Sequence, residues 1–147
     1  MAGFRLLDDP YVGHSSREVT ISSLTLAVGD LLELDIGATA WTAADASTTH
    51  WQKKAVCVKS TTSSDTLVEV VLVLPGQVYA VESANASNVA HNGDRMILTD
   101  RNTVNNTGTD NTTKEAVFIQ KGVDSGLNTT TIIGEIIAGS GINPDAT

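Results

Sequence analysis

The side chains best able to do chemistry in this sequence are three histidines and one cysteine, and they lie far apart. His14, His50 and His91 lack a second histidine or a carboxylate at the spacing expected of metal ligands. Cys57 lies in an apolar strand pattern, where a buried structural thiol is expected rather than a nucleophile. Only the fold itself could bring His50, His91 and Cys57 together. The sequence therefore predicts no metal site.

Other candidate motifs lack the context that their chemistry needs. Ser140 follows a glycine and precedes another, but no strand-to-helix turn of a nucleophile elbow surrounds it. The glycines occur singly and form no phosphate-binding or dinucleotide-binding loop. The acidic turn residues do not have the alternating spacing of a calcium loop and are expected to cap backbone groups: Asp8, Asp9, Asp30, Asp94 and Asp124. We therefore expect no enzymatic activity and no cofactor.

Composition narrows the range of partners. The chain has 147 residues and a formal net charge of −8, with no cluster of lysines or arginines. Charge repulsion therefore argues against nucleic acid and against anionic membranes as partners. No apolar run reaches the ~20 residues of a membrane helix, and residues 1–17 do not have the pattern of a secretion signal. One cysteine allows no intrachain disulfide, so packing and association must supply the stability.

Short aliphatic segments separated by turn residues predict an all-β fold. Eight or nine such strands favour a small antiparallel β-barrel, a β-tulip-like module or a sandwich within one domain, residues 18–147. Only Thr42–Thr48 suggests a helical turn, and Val104–Thr113 reads as a solvent-facing excursion outside the core. The predicted strands are Glu18–Ser22, Thr25–Val28, Asp30–Ile36, Gln52–Ser60, Thr66–Leu74, Gln77–Glu82, Arg95–Thr99, Lys114–Lys121 and Thr130–Ala138.

Two of these strands, Thr66–Leu74 and Thr130–Ala138, are apolar on both faces. Such a strand is either central in the fold or covered by another subunit, and the pattern leaves both possibilities open.

The order of landmarks suggests an internal duplication of residues 18–76 and 85–141. Gly29-Asp30 and Gly93-Asp94 are 64 residues apart, and two aliphatic strands recur at spacings of 61 and 66 residues. Two copies at this period would form two half-barrels rather than a solenoid. The alternative is that any antiparallel protein repeats short strands and Gly-Asp turns.

The N-terminal segment, Met1–Arg17, differs from the rest because apolar side chains lie on a stretch broken by glycine and proline. Phe4, Leu6, Leu7 and Tyr11 need a surface to cover them. That surface is either the domain itself or a neighbouring chain. In the second case the segment is an irregular docking arm, and these four side chains bind the partner.

Several runs resemble the decoration, or cement, proteins of tailed-bacteriophage capsids. The runs are ISSLTLAVGDLLEL, KKAVCVKS, TLVEVVLVLPGQVYAV, NGDRMILTD and KEAVFIQKG. The resemblance implies a structural virion protein that assembles in the host cytoplasm and binds the outside of an icosahedral head. It further implies a homotrimer at three-fold positions, with the N-terminal arm clamping the major capsid protein of the expanded shell.

Two other functions are compatible with an all-β chain. One is a receptor-binding domain of a phage tail fibre or tailspike, although the chain has few aromatic residues and no shaft repeats. The other is a small ligand-binding β-barrel, for which the sequence shows no site.

Overall fold

The computed structural model describes residues 3–11, 13, 15–107, 116–124 and 129–142, and within them the chain is almost entirely β. This confirms the predicted all-β class. The described residues contain no α-helix, and a single 3-10 turn covers Val89–His91. The strands are β1 Arg5–Asp8, β2 Arg17–Thr20, β3 Leu31–Leu34, β4 Thr42–Ala43, β5 Lys53–Cys57, β6 Leu67–Leu72, β7 Val78–Ser87, β8 Arg95–Asp100, β9 Thr103–Asn105, β10 Phe118–Val123 and β11 Thr129–Ile136.

The first sheet, which we call the half-barrel, has the strand order β2-β6-β5-β3-β4. It curls until its two edges meet at a parallel bridge between Ile21 and Trp41, where the Trp41 amide donates to Thr20 O at 2.8 Å. Alternate residues along each strand point inward and form an apolar interior, as the period of two in a strand requires. The buried interior residues are Val19, Ile21, Leu26, Leu32, Trp41, Ala55, Cys57, Val68 and Val70.

The second sheet, which we call the barrel, has the strand order β7-β11-β10-β8-β9 and closes through a parallel pairing of β7 with β9. Strand β7 is ten residues long, so one edge accommodates two neighbours. β9 pairs with Glu82 and Ser83, while β1 pairs antiparallel with the beginning of β7, Arg5 lying opposite Ala80. Among the described strands, closure leaves β1 as the edge of this sheet that has no further neighbour.

The two sheets have the same topology. In chain order, β2 to β6 correspond to β7 to β11, and in both sheets the third strand runs parallel to the first at the closure. The Gly-Asp turns correspond too: the Gly29 amide donates to Cys57 O at 2.8 Å, and the Gly93 amide donates to Gln120 O at 2.7 Å. The strands of one unit run from Arg17 to Leu72 and those of the other from Val78 to Ile136.

The barrel packs one of its ends against the outer wall of the half-barrel. Leu31, Val56 and Val73 on that wall belong to the same buried cluster as the barrel residues Tyr79 and Leu98. Two hydrogen bonds fix the contact, because the Leu31 amide donates to Arg101 O at 2.7 Å and Lys54 Nζ donates to Ile137 O at 2.8 Å. Each large apolar side chain buried here contributes about 1.5–3 kcal/mol.

Two local predictions of secondary structure are wrong. Thr42–Thr48 contains no helical turn, because Thr42 and Ala43 pair with Glu33 and Leu32 as strand β4. Thr25–Val28 is irregular chain leading into the Gly-Asp turn rather than a strand.

The prediction for Val104–Thr113 also needs correction, because its first residue lies in the core. Val104 is completely buried in strand β9, where it pairs with Leu98 and closes the barrel against Ser83. A single valine among asparagines and threonines gives little sequence signal, yet the barrel closes on it. Residues 108–113 lie outside the described residues.

Candidate interaction surfaces

The described part of the chain holds no group of three or more metal-ligating side chains. His91 Nδ1 lies 3.0 Å from Asp94 Oδ2 at an exposed turn. Cys57 is buried in the half-barrel, and burial raises the pKa of its thiol, which donates to Lys59 O at 3.1 Å. His14 lies outside the described residues. Cys57 is therefore a protonated thiol that packs in the core of the half-barrel.

The N-terminal segment is anchored in the fold at Phe4. This side chain is 3% exposed, and its ring packs against Tyr79 and Phe118, with ring centroids 6.5 and 6.1 Å apart. The Phe4 amide donates to Gly29 O at 2.8 Å. Phe4 is therefore covered by the domain itself, one of the two surfaces that the sequence left open, because strand β1 and its leading residue complete the core between the two units.

The close approach of the segment to the Gly29 turn explains why a glycine is needed there. Gly29 has a φ of +95°, and a Cβ at this position would lie 3.1 Å from Gly3 Cα. Gly93, at the corresponding turn of the barrel, has the same φ but no atom near the position of its Cβ. Of the two Gly-Asp turns, the described N-terminal segment thus contacts the one in the half-barrel and not the one in the barrel.

Beyond Phe4, the segment leaves apolar surface uncovered. Leu6 is half-buried, whereas Leu7 is 46% exposed and Tyr11 is 39% exposed. Beside strand β1 lies a groove of about 160 Å³, which we call the N-terminal groove; its lining is mainly apolar and includes Phe4, Leu6, Val28, Val56, Val58 and Val71. The structure therefore divides the four predicted partner-binding residues into a buried anchor, Phe4, and two exposed side chains, Leu7 and Tyr11, with Leu6 between them.

A second opening lies at one end of the half-barrel. We call it the half-barrel mouth; it encloses about 400 Å³ between Val19, Leu34, Trp41, Leu72 and Leu74, with Arg17 and Lys53 at its rim. Leu34, Leu72 and Leu74 are only half-buried, although alternate residues of these strands point into the sheet interior. Sequence patterns could not predict this opening, because it depends on how the curled sheet ends and on what covers it.

The half-barrel wall holds a buried lysine that sequence reasoning missed. Lys54 is 2% exposed, and its Nζ donates to Gln52 O at 2.9 Å, to Ile137 O at 2.8 Å and to His50 O at 3.3 Å. Burial lowers the pKa of Lys54 to about 7, although Glu33, its register partner on β3, opposes the shift. Burial also raises the pKa of Glu33. The only sequence signal was that Lys54 lies on the same strand face as Val56.

An ion pair connects the two units near the N-terminal groove. Arg101 Nε lies 3.2 Å from Asp30 Oδ2, and the same carboxylate oxygen accepts from the Ala27 amide at 2.9 Å. Asp30 is 2% exposed, so removing Arg101 would leave a buried charge without its cation. The pair therefore helps to fix the position of the barrel against the half-barrel.

In comparisons with known proteins, no protein-family model and no curated protein matches this sequence. Within the described residues, no helix has both the length and the apolar character needed to cross a membrane. Function must therefore be inferred from the surfaces themselves.

Proposed function

We propose that this chain is a structural decoration protein that binds the outside of an icosahedral phage head and stabilises the expanded shell. The observation that carries the proposal is the N-terminal groove, where apolar side chains remain accessible next to the edge that β1 leaves open among the described strands. Such a surface suits a protein partner, because apolar contacts supply affinity and a free edge can pair with an extended segment.

The rest of the described fold supports a static role. Every buried side-chain nitrogen or oxygen in the described residues has a hydrogen-bond partner. Two small barrels joined by a shared core and an ion pair form a stiff body, and a shell clamp needs no moving part. The resemblance of the strands and Gly-Asp turns to those of capsid decoration proteins points in the same direction.

In this proposal the N-terminal segment contributes Leu7 and Tyr11 to the contact with the major capsid protein, while Phe4 holds the segment in position. A homotrimer at a three-fold position would present three such segments. Several modest contacts then combine into a strong attachment.

The test is co-sedimentation with shells assembled from the major capsid protein of the same virus, in expanded and unexpanded forms. Saturable binding to expanded shells, with a raised shell melting temperature, is the expected result. The double variant Leu7→Ala/Tyr11→Ala should lose occupancy at least tenfold, because each truncated anchor typically costs about 2 kcal/mol when it fills a partner pocket.

Val89→Ala is the matched control, because Val89 is 57% exposed on the 3-10 turn, away from the groove. This variant should bind as the wild type does. Absence of binding to expanded shells by a folded wild-type protein would refute the proposed function. Full occupancy by the double variant would show that Leu7 and Tyr11 do not make the contact.

A further inference from the structure

Because the two units share one topology, the burial of equivalent residues can be compared between the half-barrel and the barrel. The strand register shows which interior residues are equivalent at one end of each sheet. Val19 is equivalent to Val81, Leu34 to Leu98, Trp41 to Val104, and Leu72 to Ile136. In the barrel these residues are at most 2% exposed, namely Val81, Leu98, Val104 and Ile136. In the half-barrel the same end is the open mouth.

The difference arises from what covers each end. The barrel end is covered by the half-barrel wall, with Leu31, Val56 and Val73 in one buried cluster with the barrel interior, and by the Phe4 ring. None of the described residues covers the half-barrel mouth in this way: its apolar residues line an opening of about 400 Å³. Within the described residues, Leu34 and Leu72 thus remain half-buried where their counterparts Leu98 and Ile136 are buried, whereas Val19 and Trp41 are buried like their counterparts.

The counterpart surface is also present in the chain. Wall residues Val56 and Val73 correspond by register to Ile119 and Ile137 on the outer face of the barrel. Both isoleucines are half-buried and line an apolar depression of about 230 Å³ together with Pro75 and Ala138. This barrel wall is therefore apolar at two of the three positions used in the internal contact, whereas the third, Leu31, corresponds by register to the exposed Arg95.

We propose that the half-barrel mouth binds the barrel wall of a second copy of this chain, head to tail, in an arrangement that repeats the contact between the two units within the chain. The rim of the mouth carries Arg17 and Lys53, whereas the wall carries Glu135 in its depression and the exposed Arg95 opposite Ile119, so the repeated apolar contact rather than charge selects this occupant. A heterologous contact of this kind closes into a ring when the rotation allows, and a three-membered ring is the trimer of the proposed function. The inference deepens that part of the proposed function, and its test needs no shell.

The test is sedimentation velocity and light scattering of the purified chain at about 100 µM, a concentration at which a specific self-contact should be populated. We expect a particle three times the 15.4 kDa of the chain. Leu74→Glu places a charge in the mouth and Ile119→Arg places one on the wall. Each variant should sediment as a monomer. Lys53→Glu, at an exposed rim position, tests the mouth without touching an apolar residue.

Mixing the two variants gives the sharpest result. Leu74→Glu retains its wall and Ile119→Arg retains its mouth, so an equimolar mixture should form one-to-one dimers and nothing larger. Leu67→Glu is the matched control, because Leu67 is 50% exposed at the opposite end of β6 from Leu72. This variant should keep the mass of the wild type.

Three outcomes would overturn the inference, provided that circular dichroism shows each variant folded. They are a monomeric wild type, single variants that keep the wild-type mass, and a mixture that remains monomeric. A monomeric wild type whose Leu74→Glu variant loses shell binding would identify a capsid segment as the occupant instead. Shell binding by a monomeric wild type would leave the proposed function standing without this interface.

Discussion

Truncation of Phe4 tests whether the N-terminal segment belongs to the core. The ring is 3% exposed and packs against two aromatic rings, Tyr79 and Phe118. Replacing a buried phenylalanine by alanine typically costs about 3–5 kcal/mol, since the transfer free energy is lost and a cavity remains. For a chain of this length, about 2–4 °C is lost per kcal/mol, so Phe4→Ala should melt about 6–20 °C below the wild type.

Leu7→Ala is the internal comparison, because Leu7 lies three residues further along the same segment and is 46% exposed. Its free energy of unfolding should stay within about 0.5 kcal/mol of the wild type, as is usual for exposed positions. Urea unfolding followed by far-ultraviolet circular dichroism measures both variants. If the free energy of unfolding of Phe4→Ala is within about 0.5 kcal/mol of the wild type, residues 3–8 do not support the core. Phe4 would then again be a candidate for partner binding.

Three further predictions concern the core and its buried charge. The free energy of unfolding of Val104→Asp, measured in urea, should be lower by about 3 kcal/mol or more, because the substitution puts a carboxylate into the closed barrel. An unchanged midpoint would indicate that position 104 faces solvent. The wild type should gain stability relative to Lys54→Met between about pH 7 and the ordinary lysine value of 10.5, because the unfolded chain binds the extra proton throughout that interval; urea midpoints whose difference is flat with pH would contradict the buried lysine. Gly134→Ala should unfold at a far lower temperature than Gly122→Ala, since a Cβ at Gly134 would collide with the Ile119 carbonyl oxygen whereas Gly122 has open space; equal melting temperatures would contradict this packing.

The sequence predicted strands well where alternation or continuous apolar runs were strong. The β-character of Leu67–Leu72 and Thr129–Ile136 was clear, and both strands are central in their sheets, one of the two explanations open for a strand without a polar face. Short strands were missed, because β4 has two residues and β9 has three, and pairing partners rather than propensity create them. Strand β1 was missed because glycine and proline flank it, although three of its four residues pair with a long neighbour.

The interaction surfaces could be predicted only in part. Leu7 and Tyr11 are accessible, and their binding to a partner stays a prediction. Phe4 is buried within its own domain, and composition could not distinguish it from these two residues, because it cannot say which of several apolar residues will find a pocket. The half-barrel mouth and the buried Lys54 arise from the way the two units pack, which no local pattern encodes.

The relation between the two units shows why sequence alignment misplaced the strands. Alignment by residue type gave spacings of 61 and 66, whereas the register relates Ala55 to Phe118, 63 apart, and Val70 to Gly134, 64 apart. In the barrel the Phe118 ring lies where a Cβ on Gly134 would be 2.9 Å away, so the space that Val70 fills in the half-barrel is filled here from the neighbouring strand. A core that conserves total volume while exchanging large and small residues keeps its fold but loses its sequence signature. The nearest atom to a Cβ at Gly134 is the backbone carbonyl oxygen of Ile119, which truncation of Phe118 does not remove. Gly134→Val should therefore fail to rescue Phe118→Ala, and the double variant should be the less stable of the two in urea unfolding. If the double variant is instead the more stable, the Phe118 ring rather than the Ile119 carbonyl is what excludes a side chain at position 134.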